Sequence, residues 1–180
     1  MTGREPAPVR TIRLDLAYDG TGFHGWARQP GARTVETVLR EALDTVFGEV
    51  DALAVAGRTD AGVHALAQAA HVDLARERRP DVVRDAVNAH LGAHPVSITR
   101  AEVVGPDFEA RFSATKRHYL YRILNRRARP AVERGRVWWA PKKLDAEAMH
   151  SAAQQLVDEP VELRQQHLRV WLWFPHHRRR

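Results

Sequence analysis

Ile12, Leu14, Leu16 and Tyr18 alternate with Arg13, Asp15 and Ala17, the two-residue period of a half-buried strand. Asp19-Gly20-Thr21-Gly22 breaks the pattern. Past a loop that runs to Arg33, residues Val35, Val38, Leu39, Ala42, Leu43, Val46 and Phe47 recur at helical spacing along one face. Thr34 is a suitable N-cap, Glu36 lies in the first turn, and Gly48 is a stop. Strand-like runs follow at 52–58 and 67–74, with a tight loop between them. Pro80 and Asp81 open a second helix, with Val83, Ala86, Val87 and Leu91 inward and Gly92 at its end, and Val96 to Val104 reads as a further strand.

The order strand, helix, strand, strand, helix, strand predicts an α+β unit of the ferredoxin-like βαββαβ kind, one sheet with two helices on one face. RNA-recognition modules share that architecture, although a fold does not fix a function. Gly105-Pro106-Asp107 marks a boundary. Beyond it, Arg117 to Leu124 alternates, Val137-Trp138-Trp139 is a short strand candidate, and Leu144-Asp145 opens a helix capped by Asp145 that carries Met149, Ala152, Ala153 and Leu156. The expected organisation is a flexible leader at 1–10, an N-terminal α+β unit at 11–105, and a partial C-terminal α+β unit at 106–180 whose pattern fails from about 158. One helix and two strands bury little core, so the second unit reads as incomplete, or as borrowing its sheet from the first, within a mixed and mainly antiparallel sheet architecture.

At 180 residues and 44% hydrophobic, the chain is long enough for a real core, and no apolar run reaches bilayer length. Cysteine is absent, which removes disulfides and thiolate chemistry, and the first ten residues lack an apolar signal centre, so cytoplasmic residence is the default expectation. The net charge of +6 comes from 25 Arg and 3 Lys, and it is unevenly placed. From Arg111 to Lys143 there are eleven basic residues and one acidic residue, Glu133, with Tyr and Trp interleaved. That is the footprint of a polyanion partner such as nucleic acid; a solvated basic face is the alternative. Phe23, His24, Trp26, Arg28 and Gln29 in the first loop suit contact with bases and phosphates, or else cover a core edge. The ten His show no compact ligand spacing flanked by carboxylates, so no metal site is expected, and neither a P-loop nor a serine nucleophile elbow is present.

The chemistry concentrates in Ala56-Gly57-Arg58-Thr59-Asp60-Ala61-Gly62-Val63-His64, between two strands. Two glycines permit sharp turning, and Thr59 to Gly62 reads as a type I turn. Asp60 can act as nucleophile, general base or electrostatic stabiliser, or can merely make an Asx bond to its own turn. Arg58, two residues away, falls on the same face in extended chain and favours an ionised carboxylate. His64 is either a proton carrier or a structural turn residue. A hydrolase or nuclease built on Asp60 and His64 is a further reading of the same residues.

This loop, with Ala65 after it, closely resembles the active-site motif of the bacterial tRNA pseudouridine synthase A family. Tyr18 to Trp26 with Arg28-Gln29, Thr34-Val35, Gln68, His71, Asn88, Phe108 to Thr115, Arg117 and Tyr119-Leu120-Tyr121 are similar to family positions in the same order, so the likeness runs from about 11 to 157. The resemblance implies a pseudouridine synthase-like fold and isomerisation of uridine to pseudouridine in the anticodon stem-loop of tRNA. It implies Asp60 as nucleophile, Arg58 extruding the base and pairing with Asp60, and Tyr119 stacking on the base and assisting proton movement. It further implies RNA contacts from Arg28, Gln29, His64, Arg111, Lys116, Arg117 and Tyr119, no metal and no cofactor, and a homodimer. Family members continue past this length with a further arginine for the catalytic aspartate, whereas residues 158–180 are unlike that segment. A C-terminally truncated or frame-shifted copy is therefore expected, active or else a catalytically impaired RNA-binding remnant.

Overall fold

The computed structural model describes residues 10–48, 50, 52–75 and 77–155, together with the backbone of 163–164 and 168–172. The expected leader up to Val9 and the terminal His176 to Arg180 lie outside the described residues. The chain forms two compact units, 1–115 and 116–180.

In the first unit the order is β1 (Arg10–Tyr18), α1 (Val35–Phe47), β2 (Leu53–Val55), β3 (Ala65–Leu74), α2 (Pro80–Leu91), β4 (Val96–Val103) and the single turn α3 (Ala110–Ser113). The strands lie side by side as β2-β3-β1-β4, with every neighbouring pair antiparallel. Register places Leu14 opposite Ala70 and Ala101, and Ile12 opposite Val72, so the buried alternation of β1 is continued across the sheet. Onto that face α1 brings Val35, Val38, Leu39, Ala42 and Leu43, and α2 brings Val83, Val87 and Leu91, all part of one buried cluster. Thr34 caps α1 as its sequence suggests, accepting from Thr37 N at 3.3 Å. By contrast α2 has no side-chain cap; Pro80 sits in its first turn, where the missing N–H costs nothing.

β4 is a sheet edge, and its outward Ile98 backbone is covered by Asn88 of α2. The Asn88 amide donates to Ile98 O at 2.9 Å and accepts from Ile98 N at 2.8 Å. One side chain thus satisfies both groups of an edge residue that would otherwise seek another strand. The unit runs past the Gly105-Pro106-Asp107 break because α3 is held to β3: the buried His71 Nδ1 accepts from Ala110 N at 3.0 Å, and Phe108 meets its ring edge-on at 6.0 Å.

In the second unit, β5 (Tyr119–Asn125), β6 (Trp138–Ala140), α4 (Ala146–Gln154), β7 (Leu163–Arg164) and β8 (Leu168–Leu172) form a sheet ordered β6-β5-β8-β7 with one helix. Asp145 caps α4 as expected, accepting from Ala148 N at 3.0 Å. The tail was not expected to add strands, yet β8 pairs antiparallel with β5 from Leu168 to Leu172. Pairing between β5 and β6 is parallel, so the architecture is mixed α+β.

Replacing Asn88 with Ala strands both Ile98 backbone groups. The expected loss is about 1–3 kcal/mol, read as a lower urea midpoint at unchanged slope. An unchanged midpoint would show that water covers this edge equally well.

Candidate active site

The loop that carries Asp60 begins while the chain is still bound to the sheet. Ala56 N donates to Ala69 O at 2.8 Å, and the Gln68 amide donates to Gly57 O at 2.6 Å. The strand expected to reach 58 therefore ends at Val55, and Gln68 carries the bonding one step further. The turn itself spans Asp60 to Val63, closed by Val63 N to Asp60 O at 3.2 Å. Gly62, its third residue, has φ of 78°, which a type II turn requires. The expected type I turn over Thr59 to Gly62 is thus displaced by one residue, and Gly62 serves the left-handed position instead of the last one.

A second loop, from Asp19 to Arg33, braces the first through its main chain. Trp26 N donates to Thr59 O at 2.9 Å, and Gly62 N donates to Phe23 O at 3.2 Å. Two glycines make that approach possible. A Cβ on Gly20 would lie 2.0 Å from Val63 O; Gly25, with φ of 90°, would put one 2.8 Å from Thr59 O. Phe23 and Trp26 are 3% and 2% exposed, so both belong to the core and neither presents a ring for stacking on bases.

Side chains add a third set of ties. The Tyr18 hydroxyl, at the sheet end of β1, lies 2.9 Å from Thr59 Oγ1 and accepts from the Gln68 amide at 3.4 Å. Burial pushes the Tyr18 phenol above its ordinary pKa, while the bonds to Thr59 and Gln68 hold it partway down. His64 Nδ1 lies 3.1 Å from both Gly20 N and Asp19 Oδ1. Unprotonated, that nitrogen accepts from Gly20; protonated, it pairs with Asp19. Either way the ring ties the far end of the Asp60 loop to the bracing loop.

Asp60 and Arg58 are both exposed. Among the described residues neither side chain has a hydrogen bond or ion pair, so Asp60 makes no Asx bond to its own turn and the expected pairing of Arg58 with Asp60 is absent. Arg28 is exposed, its backbone N donating to Glu36 Oε2 at 3.0 Å, and the Gln29 amide donates to His24 O at 3.1 Å within its own loop. Arg111, on α3, is exposed with its guanidinium 5.5 Å from the Phe112 ring centre. Lys116, Arg117 and Tyr119 belong to the second unit, Lys116 and Tyr119 exposed and Arg117 partly so. No three His, Asp or Glu side chains are grouped to hold a metal ion among the described residues. The contributions of Tyr18, Thr59 and Gln68 were not read from the sequence. A usable signal existed: Tyr18 puts a hydroxyl on the buried face of β1, and a buried hydroxyl needs a partner.

Chemically, the result is a carboxylate held in place by backbone, with its acceptor capacity open to solvent. Two predictions follow from the bracing. In Gly20→Ala the new methyl collides with backbone, and overpacking of this kind costs about 1–3 kcal/mol, measurable as a fall in thermal midpoint. For Tyr18 the sign is set by its raised pKa: the buried neutral phenol contributes stability below about pH 10, and that contribution is lost as pH rises through the folded-state value. Tyr18→Phe should cost about 1 kcal/mol at neutral pH and show a smaller stability loss above pH 10 than the parent in urea titrations. Equal alkaline losses would show that the phenol is not the titrating group.

The family model described as tRNA pseudouridine synthase matches residues 16–113. This segment contains the Asp60 loop, its brace, α1, β3 and α3. The tRNA pseudouridine synthase A of Mesorhizobium japonicum is 59% identical over 149 residues, covering 81% of this chain and 60% of the relative. Proteins of the same name from Methylobacterium nodulans and Azorhizobium caulinodans are each 57% identical over 145 residues, covering 81% of this chain and 57% and 56% of theirs. The chain therefore spans roughly three-fifths of the length of these relatives. A family match that reaches over more than half of the chain and includes both loops of the site settles the kinship: this chain belongs to the tRNA pseudouridine synthase family.

Proposed function

We propose that this protein isomerises uridine to pseudouridine in the anticodon stem-loop of tRNA, with Asp60 as nucleophile. The observation that carries this reading is the Asp60 carboxylate itself: exposed, on a main-chain-braced turn, with no partner among the described residues. The carboxylate attacks either the uracil ring or the sugar carbon that bears it. The N1 glycosidic bond breaks, the ring rotates, a bond from C5 to the same sugar carbon forms, and the bond to Asp60 breaks, which returns the free carboxylate. C5 loses its proton and N1 gains one, so no atom is added or removed overall. The target base must leave its stack, at a cost of a few kcal/mol, and arginine–phosphate contacts offset that cost.

Arg58 shares the loop with Asp60 and, with no partner among the described residues, is available to the extruded base or its phosphate. Tyr119 is assigned to stacking on the base and to proton movement, as the family resemblance implies, with Arg28, Gln29, His64, Arg111, Lys116 and Arg117 as RNA contacts. The reaction needs no metal or cofactor. The first unit is read as the ferredoxin-like arrangement of RNA-recognition modules, supported by the strand order β2-β3-β1-β4 and its antiparallel pairing. The working form is a homodimer with tRNA across both subunits, in the cytoplasm; no helix among the described residues is long and apolar enough to cross a membrane.

Incubation with unmodified tRNA, followed by mapping of pseudouridine in the anticodon arm, tests this. Asp60→Ala should abolish product while tRNA still binds. Product from Asp60→Ala would sink the nucleophile assignment, and salt-sensitive binding without product by the parent chain would identify an RNA-binding remnant instead.

A further inference from the structure

Arg33 is exposed, yet it is held on two sides. Its guanidinium carbon lies 4.5 Å from the centre of the Phe23 ring, itself buried in the core. Its Nη2 lies 2.9 Å from His94 Nδ1. Arginine can only donate, so in this bond His94 Nδ1 is the acceptor. The backbone is fixed as well, because Arg33 O accepts from His24 N at 2.9 Å. Gly22 leaves room for the side chain: a Cβ there would stand 3.1 Å from Arg33 Nη1.

The electrostatics are unusual for a structural arginine. No carboxylate among the described residues pairs with Arg33. It also immediately precedes Thr34, the N-cap of α1, where the helix macrodipole disfavours a cation. A stacked, rotationally restricted guanidinium on a residue next to a helix N-cap, without an acidic partner among the described residues, is arranged for an anion that arrives from outside. With one face on Phe23 and one donor on His94, it still has several N–H groups in a planar fork, the geometry that matches phosphate.

We propose that Arg33, held by Phe23 and His94, is a contact site for a backbone phosphate of the RNA substrate. The inference rests on the RNA reading above and adds a residue to which no role has been assigned. The contact would anchor RNA to the loop that braces Asp60, since Phe23 O and Trp26 N of that loop bond the Asp60 turn. Arg33 is therefore a positioning residue for the reaction.

The test is tRNA binding by fluorescence anisotropy across a potassium chloride series, with thermal unfolding of each variant as a folding control. Arg33→Gln should lower the slope of log affinity against log salt by about 0.7–0.9, one phosphate contact, and weaken binding tenfold or more, roughly the low end for a bond to a charged group. Arg33→Lys keeps the charge and the slope but should bind more weakly, since an ammonium cannot reproduce the stacked fork. Arg78→Gln, with the same charge change at another exposed arginine, should leave the slope unchanged. A parental slope in Arg33→Gln, parental affinity in Arg33→Lys, or an equal slope loss in Arg78→Gln would each overturn the proposal while leaving the RNA reading intact. No salt-sensitive binding by the parent chain would overturn both.

Discussion

The arrangement depends on the main-chain contact between the segment from Gly20 to Trp26 and the turn from Thr59 to Val63. Trp26 N and Gly62 N each donate across it, and the contact closes only because Gly20 and Gly25 lack a Cβ. Backbone-to-backbone bracing has a chemical consequence. A carboxylate positioned by its own side-chain hydrogen bonds has those lone pairs occupied and its charge stabilised in advance. Asp60 is positioned by the peptide units on either side of it, so among the described residues nothing occupies its side-chain oxygens.

The brace is itself anchored in the core. Phe23 and Trp26 plug the bracing loop into the hydrophobic cluster, and Trp26 packs against Tyr18 with ring centres 6.0 Å apart. The start of α1 completes the connection. Its first-turn donors have no partner within the helix; Val35 N is satisfied by Gly25 O at 3.2 Å and Glu36 N by Trp26 O at 3.1 Å. The helix end that needs acceptors and the loop that needs support solve each other's problem. Tyr18 then links the end of β1 to Thr59, so sheet, helix and both loops form one hydrogen-bonded block around a single exposed acid.

The regular elements were legible because their periods are strong. The alternation in β1, the apolar stripe of α1 and the Thr34 cap all follow from side-chain geometry that repeats along the sequence. The loops carry no period, and here local rules competed. Gly62 could close one turn or occupy the left-handed position of the next, and only the bond from Gly62 N to Phe23 O, distant in sequence, selects the second. Phe23 and Trp26 read equally as base contacts or core for the same reason; burial by residues far along the chain decided it. The spacing of Arg58 and Asp60 suggested an ion pair, but that argument assumes extended chain, and the strand ends at Val55. The tail was unread in another way: the alternation of Leu168, Val170 and Leu172 is short, and the pairing of β8 with β5 is set by residues distant in sequence.

Under the proposed function an exposed acid faces a polyanion, an electrostatic problem that the backbone brace does not solve. Phosphates and Asp60 repel, and screening over about 8–10 Å at physiological salt weakens distant cations more than near ones. The +6 net charge of the chain is therefore less important than which cations stand beside the site. Arg58 is fixed to the same loop, and Arg33 is fixed to the loop that braces it; among the described residues neither has a carboxylate partner, and Arg33 is held by His94 and the Phe23 ring. Cations already neutralised by neighbouring carboxylates, such as Arg79 with Asp81 or Arg84 with Asp85, contribute little field at a distance. Among the described residues the first unit thus separates two uses of arginine: pairs on the α2 surface that cancel locally, and guanidinium groups without a carboxylate partner on the loops that hold Asp60, where, under the proposed function, attraction for phosphate has to exceed the repulsion from the Asp60 carboxylate.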